Sequence, residues 1–352
     1  MFVSFNQFDK IIIYFLFVLY FVLKILTISI SNLNKEYGYL NDFLYLFIFI
    51  NCYYAIKYCK FITYEKLFLF FIIPLITSLI FDINLRAFFS LMMLILMMPI
   101  YYIFIYNVKI KYANLLLVLL FIILFINFYH SDYFGSIFWG YYGRERLNLG
   151  FFHPKEQCYF LIYLYIFIEL FVFRKIILLF LYLLIFILIY LSDTRGSLVG
   201  FCIFGFFSLS ITKKLLNKYY YKSLMFSILI IIVGLSLFKF EEINSISSNR
   251  LLIWTDILNE RRIYTDSIDS SFLHFAANNL IGLYLISSWV IYSLLVVKKY
   301  FFHNIEYFLL IMTLGLFDVG LFSATNLIAL HCWTIVLLGN PKNRLNITNT
   351  YS

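Results

Sequence analysis

Ile176–Leu191 reads IILLFLYLLIFILIYL, an apolar run without a single charge, and Ser192-Asp193-Thr194-Arg195-Gly196-Ser197 closes it. A helix crossing a bilayer core needs roughly 20 predominantly apolar residues, and this run approaches that length. A transmembrane strand would instead alternate apolar and polar residues over about ten positions, which this run does not do. Similar runs recur at 11–23, 115–128 and 224–238. Across its 352 residues the chain is 64% hydrophobic and 13% charged, with a mean hydropathy of +0.92. Average soluble chains are only about 45–50% apolar and about 25% charged, so a water-soluble globule is excluded. The expected fold is an all-α polytopic membrane protein with about 12 transmembrane helices, forming one integral membrane domain over 1–352.

The spans are expected near 11–30, 40–56, 67–81, 86–106, 113–129, 157–173, 175–191, 196–212, 223–238, 277–297, 305–321 and 324–338. The region 305–338 is long for one helix and short for two. The first span has no small-residue cleavage site after it and reads as a retained helix, not a signal peptide. Alternate loops then separate by charge. Lys57, Lys60, Lys66, Lys109, Lys111, Lys213, Lys214, Lys298 and Lys299 fall on one side with both termini, and the positive-inside rule makes that side cytoplasmic. On the opposite side the basic residues are mostly arginine, and topology alone does not require that choice. Guanidinium forks suit anions of fixed geometry, so function is expected on the outer face.

Two outer loops are long, near 130–156 and 239–276, and loops beyond about 12–15 residues in a compact architecture are usually functional or disordered. Their aromatic content argues against disorder. The first carries Arg144, Arg146 and His153, two guanidiniums and an imidazole suited to a phosphate-bearing substrate and to proton movement near neutral pH. An ordinary snorkelling loop is the competing reading. Arg195 stands at the start of the helix after the 192–197 corner, where free N–H groups favour anions, with a local pair to Asp193 as the competing reading. The second loop holds Asn249-Arg250-Leu251-Leu252-Ile253-Trp254, the start of an interfacial helix that would place Arg250 near its positive end. Asp269 is a candidate general base, with His274 as runner-up. The five cysteines have neither metal-like spacing nor a disulfide framework. No metal-ligand motif or glycine-rich phosphate loop is present, so neither a metal nor another cofactor is expected, and no nucleic-acid partner.

Three patches resemble the O-antigen polymerase/ligase superfamily, particularly Wzy-type polysaccharide polymerases. Arg146-Leu147-Asn148-Leu149-Gly150-Phe151-Phe152-His153-Pro154-Lys155 resembles the family's R…G…HPN segment. Asp193-Thr194-Arg195-Gly196-Ser197 resembles its T-x-S-R-G corner. Asn249–Trp254, Asp269-Ser270-Ser271-Phe272-Leu273 and Gly282 resemble the large outer loop and the span that leaves it. Lys155 departs from the family's asparagine, and Asp269 stands where ligases typically carry histidine, which favours polymerase over ligase.

The resemblance implies a GT-C-like membrane glycosyltransferase of the bacterial plasma membrane. It would transfer a glycan from undecaprenyl diphosphate to the terminal hydroxyl of a new lipid-linked repeat unit, extending capsular, exopolysaccharide or O-antigen chains. Arg144, Arg146, Arg195 and Arg250 would bind the diphosphate, and Asp269, His153 or His274 would accept the proton. A chain-length regulator, a flippase and membrane lipids are the implied partners. The alternatives are an O-antigen ligase-type transferase and a lipid-linked oligosaccharide flippase. Nearly charge-free span centres, only four prolines and no evident repeat weigh against the flippase.

Overall fold

The computed structural model describes residues 7–29, 39–58, 61–81, 85–107, 118, 122, 125, 138–141, 144–149, 151, 153–171, 175–208, 218–219, 280–317 and 319–339. These are mostly helical. They comprise α1 (Gln7–Ser29), α2 (Tyr39–Tyr58), α3 (Phe61–Ile76), α4 (Leu85–Asn107), α5 (Pro154–Glu169), α6 (Lys175–Leu191), α7 (Arg195–Ser208), α8 (Leu280–Tyr300), α9 (Ile305–Phe317) and α10 (Leu327–Leu338). Each helix overlaps one of the expected spans. The expected spans at 113–129 and 223–238 lie almost wholly outside the described residues. One antiparallel hairpin, β1 (Phe138–Tyr141) and β2 (Arg144–Leu147), departs from the all-helical expectation. The first long loop is therefore partly folded as a ribbon.

Central α4 packs against α2, α3 and α10, and α7 lies along α9. One interhelix contact follows directly from a proline. Pro74 inside α3 has no N–H, so the carbonyl four residues earlier, that of Phe70, loses its helical donor. Trp289 of α8 supplies the replacement, its indole Nε1 donating to Phe70 O at 2.9 Å. Beyond the proline the helix widens into a π-turn at Thr77–Phe81. There Thr77 and Ser78 return their hydroxyl protons to Ile73 O and Leu75 O. Trp289 is fully buried and meets Phe70, Phe71, Phe322 and Trp333 in one aromatic cluster.

Region 305–338 forms two helices of 13 and 12 residues, each only about 20 Å long at 1.5 Å per residue. They fold back on one another: Asn304 Nδ2, ahead of α9, donates to Ile335 O near the end of α10 at 2.8 Å. The described part of the segment joining them starts as a 3₁₀ turn at Val319–Phe322, and its carbonyls find donors on three helices. Trp333 Nε1 donates to Leu321 O at 2.9 Å, Ser90 Oγ to Phe322 O at 3.4 Å, and Tyr20 Oη to Ala324 O at 2.6 Å. Asn326 then caps α10 by accepting from Ile328 and Ala329 N–H. A buried polar chain crosses the interior beside this hairpin, from Tyr163 Oη through Tyr101 Oη to His331 Nδ1.

Among the described residues, Phe88–Ile105 of α4 is the one helix long and apolar enough by itself to cross a bilayer. The pair Tyr284–Tyr300 and Phe302–Leu316 meets the same criteria together, with a bend of 109° between its halves. Ile11–Lys24, Tyr45–Lys57, Ile176–Leu191, Arg195–Ser208 and Leu327–Leu338 are shorter apolar helical stretches. The π-turn at Thr77–Phe81 and the non-α-helical stretch 319–326 interrupt apolar runs that look continuous in sequence.

Because Asn326 satisfies two first-turn N–H groups, Asn326→Ala is expected to destabilise the fold by about 1 kcal/mol, and Asn326→Ser to restore most of that loss. Thermal unfolding of the purified chain in detergent reads the difference.

Candidate functional site

The corner between α6 and α7 meets the end of β2 and the start of α5, bringing together residues that are distant in sequence. Arg146 Nε lies 3.7 Å from Asp193 Oδ2, and Arg195 Nε lies 3.8 Å from Asp193 Oδ1. One carboxylate thus stands between two guanidiniums that come from separate segments. All three side chains are partly exposed, at 22% for Arg146, 39% for Asp193 and 44% for Arg195. At such exposure each contact contributes about 0–1 kcal/mol, so the pairing is loose enough to exchange.

The corner is held from beneath by α5. Gln157, fully buried in its first turns, donates from Nε2 to Ser192 Oγ at 3.1 Å. Ser192 Oγ already donates to Leu188 O, so the serine must be the acceptor in this pair, which fixes the orientation of the amide. Cys158 Sγ meets Thr194 Oγ1 one residue further along. Between these anchors Asp193 adopts a φ of 46°. Leu149, in the turn after β2, has a φ of 45°, and among the described residues these two are the only non-glycine positions with positive φ. For leucine this conformation costs about 1–2 kcal/mol, strain of the kind that gathers at functional sites. The turn is closed by Phe151 N–H donating to Asn148 O at 2.9 Å and by Asn148 Nδ2 donating to Phe151 O.

His153 is the N-cap of α5, and Pro154 occupies the first helical position, where its missing N–H does no harm. The imidazole Nδ1 accepts from Lys155 N–H at 3.1 Å. In the neutral ring the proton therefore resides on Nε2, which leaves that nitrogen as a donor. Accepting a proton at Nδ1 would require giving up the cap. The His-Pro pair of the sequence is thus accounted for by helix initiation, and its neighbour Glu156 favours the same helix end.

Arg144 forms a backbone pair with Tyr141 in the hairpin, which sets its position but not its side chain. Arg250, Asp269 and His274 lie outside the described residues. The structure therefore unites Arg146 and Arg195 and places His153 at the adjoining helix cap. Sequence reasoning missed Lys24, which stands in α1 within the electrostatic field of Glu156. A lone lysine inside an otherwise apolar run was the available signal. It also missed Gln157 and Cys158 as anchors, because nothing in the sequence tells that α5 packs under the 192–195 corner. Among the described residues no group of three or more His, Cys, Asp or Glu is placed to hold a metal ion.

An apolar groove of about 590 Å³ is lined by Val118, Ile122, Phe125, Leu149, Leu164 and Leu188 among others. Two of its lining residues belong to the segments that carry the paired charges: Leu149 follows Arg146 by three residues and Leu188 precedes Asp193 by five. Comparison with protein-family models, curated proteins and solved structures found no match to the chain.

The capping geometry gives a direct expectation. His153→Ala should destabilise the fold by about 1 kcal/mol, whereas His153→Asn, which caps equally well, should be near neutral. Equal losses from both, measured by thermal unfolding, would speak against the cap.

Proposed function

We propose that the chain is a multi-pass glycosyltransferase of the bacterial plasma membrane that polymerises undecaprenyl-diphosphate-linked oligosaccharide repeat units at the outer face. The observation that carries this reading is the meeting of Arg146 and Arg195 on one carboxylate, in segments whose neighbouring residues Leu149 and Leu188 also line an apolar groove. A lipid diphosphate has those same two halves, a multiply charged head and a long hydrocarbon tail. The outward surface agrees with a lipid setting: along α6, Ile176 is 83% exposed and Phe180 70% exposed. Such a face is unfavourable in water and suited to acyl chains.

In this reading about twelve spans cross the bilayer, with both termini in the cytoplasm and the 144–155 and 192–195 segments outside. The acceptor sugar hydroxyl attacks the anomeric carbon of the donor glycan. The bond from that carbon to the diphosphate oxygen breaks, and undecaprenyl diphosphate departs with the bonding pair. Its charge grows as the bond breaks, so arginines fixed beforehand bind the transition state more strongly than the ground state. Arg146 and Arg195 take the central part, with Arg144 and Arg250 as further diphosphate ligands. Asp269 is the favoured proton acceptor, with His274 second. His153, committed to its cap, acts as a hydrogen-bond donor toward the head group and not as the base.

Each charge-assisted hydrogen bond contributes about 1.5–3 kcal/mol, or roughly 10–150-fold in rate. Arg146→Lys and Arg195→Lys are each expected to lower long-chain polysaccharide by about that factor at unchanged protein level, because lysine cannot reproduce the planar fork. Sizing of lipid-linked glycan from the native host reads the outcome. Single repeat units accumulating on the outer face support a polymerase. Units trapped inside point to a flippase, and normal chain length in both variants rejects the assignment.

A further inference from the structure

His331 stands fully buried in α10, among the rings of Tyr101, Tyr163 and Tyr307 at centroid distances of 5.8, 6.0 and 5.9 Å. Its Nδ1 meets Tyr101 Oη at 2.8 Å, and Tyr101 Oη meets Tyr163 Oη at 3.2 Å. Its Nε2 has no hydrogen-bond partner among the described residues. In either neutral tautomer that nitrogen is a donor or an acceptor, and burying such a group unanswered is strongly disfavoured. The Tyr307 O–H is already committed, since it donates to Glu169 Oε2 at 3.2 Å. Toward any other group its phenol oxygen can only accept.

We propose that one internal water is bound between His331 Nε2 and Tyr307 Oη, and that it holds the imidazole as the Nε2–H tautomer. Two hydrogen bonds through a water span roughly 4.5–5.5 Å between the outer atoms. The ring contact between Tyr307 and His331, 5.9 Å at 43° between planes, admits that span. Buried waters of this kind make two to four bonds to polar groups that the protein leaves unanswered.

The tautomer follows from the acceptor at the end of the chain. Glu169 accepts from Tyr307, so Tyr307 Oη accepts from the water. A water that accepts one bond while donating the other is strengthened by both, whereas a double donor has its own oxygen unanswered. The water therefore accepts from Nε2–H, which makes Nδ1 the acceptor of the Tyr101 proton. Tyr163 must then donate to Tyr101. Every bond in the chain points toward Glu169, and the water completes it through α4, α5, α9 and α10. The site is separate from the Arg146–Arg195 corner and does not depend on the ligand taken there.

Magic-angle-spinning NMR of the full chain in lipid bilayers tests this. His331-Cys332 is the one His-Cys pair in the sequence, so labelling histidine and cysteine assigns this imidazole without any substitution. Wild type is expected to show a one-bond N–H coupling at Nε2, an unprotonated Nδ1, and magnetisation transfer from water to Nε2–H. Tyr307→Phe keeps the ring and deletes the water's acceptor, so it is expected to lose the transfer and to populate Nδ1–H. A wild-type proton on Nδ1 overturns the inference, as does an Nε2–H that receives nothing from water. Water transfer that persists undiminished in Tyr307→Phe overturns it too. Should that variant fail to fold, the wild-type spectra alone decide.

Discussion

Two guanidinium groups brought to one place repel each other, and the site depends on how that repulsion is managed. The carboxylate of Asp193 lies between Arg146 and Arg195, but it can do so only because the corner carrying it is fastened to the first turns of α5. Gln157 is the buried anchor, and Ser192 passes the constraint on to the end of α6 through its own bond to Leu188 O. The same first turns are set in place by the His153 cap and Pro154. Helix initiation, corner geometry and charge placement are therefore one connected arrangement. Loosening α5 at its start would move both arginines relative to each other.

The same rule operates in the interior, where side chains satisfy backbone carbonyls that regular α-helix does not. Pro74 frees the carbonyl of Phe70, and Trp289 occupies it. Leu321 and Phe322, in a 3₁₀ turn, and Ala324, beyond it, leave α-helical geometry, and Trp333, Ser90 and Tyr20 donate to them. In the proposed bilayer setting no water is on hand to do this, and unsatisfied carbonyls there cost several kcal/mol each. Aromatic residues with a polar atom suit the task, since the ring fills apolar volume while its N–H or O–H answers the backbone. Part of the high aromatic content of this chain, 22%, is put to that use.

The helical character was legible because unbroken runs such as Ile176–Leu191 admit little else, and each described helix overlaps an expected span. Their lengths were less legible. Hydropathy cannot see that 319–326 leaves α-helical form, since Val319, Leu321 and Phe322 are as apolar as the helices on either side. The hairpin at 138–147 escaped notice because four-residue strands carry too little periodicity to register. Arg146 and Arg195 were picked out as rare charges in apolar surroundings, and their convergence was an expectation that spacing alone could not supply. Asp193 entered the sequence reading only as a local partner of Arg195, although it contacts Arg146 too. His153 was marked for proton chemistry because histidine titrates near neutrality, whereas its position ahead of Pro154 already carried the signature of a helix cap.

The central claim is that the 192–195 corner rests on the start of α5, and the native thiol of Cys158 permits a direct test. Cys158 Sγ touches Thr194 Oγ1, so Thr194→Cys places a second sulfur within reach of the first. Mild oxidation of that variant in membranes, followed by peptide mapping, is predicted to join Cys158 to residue 194 in high yield. Independent labelling of the two thiols, with no linked peptide, would contradict the account and separate Arg195 from Arg146.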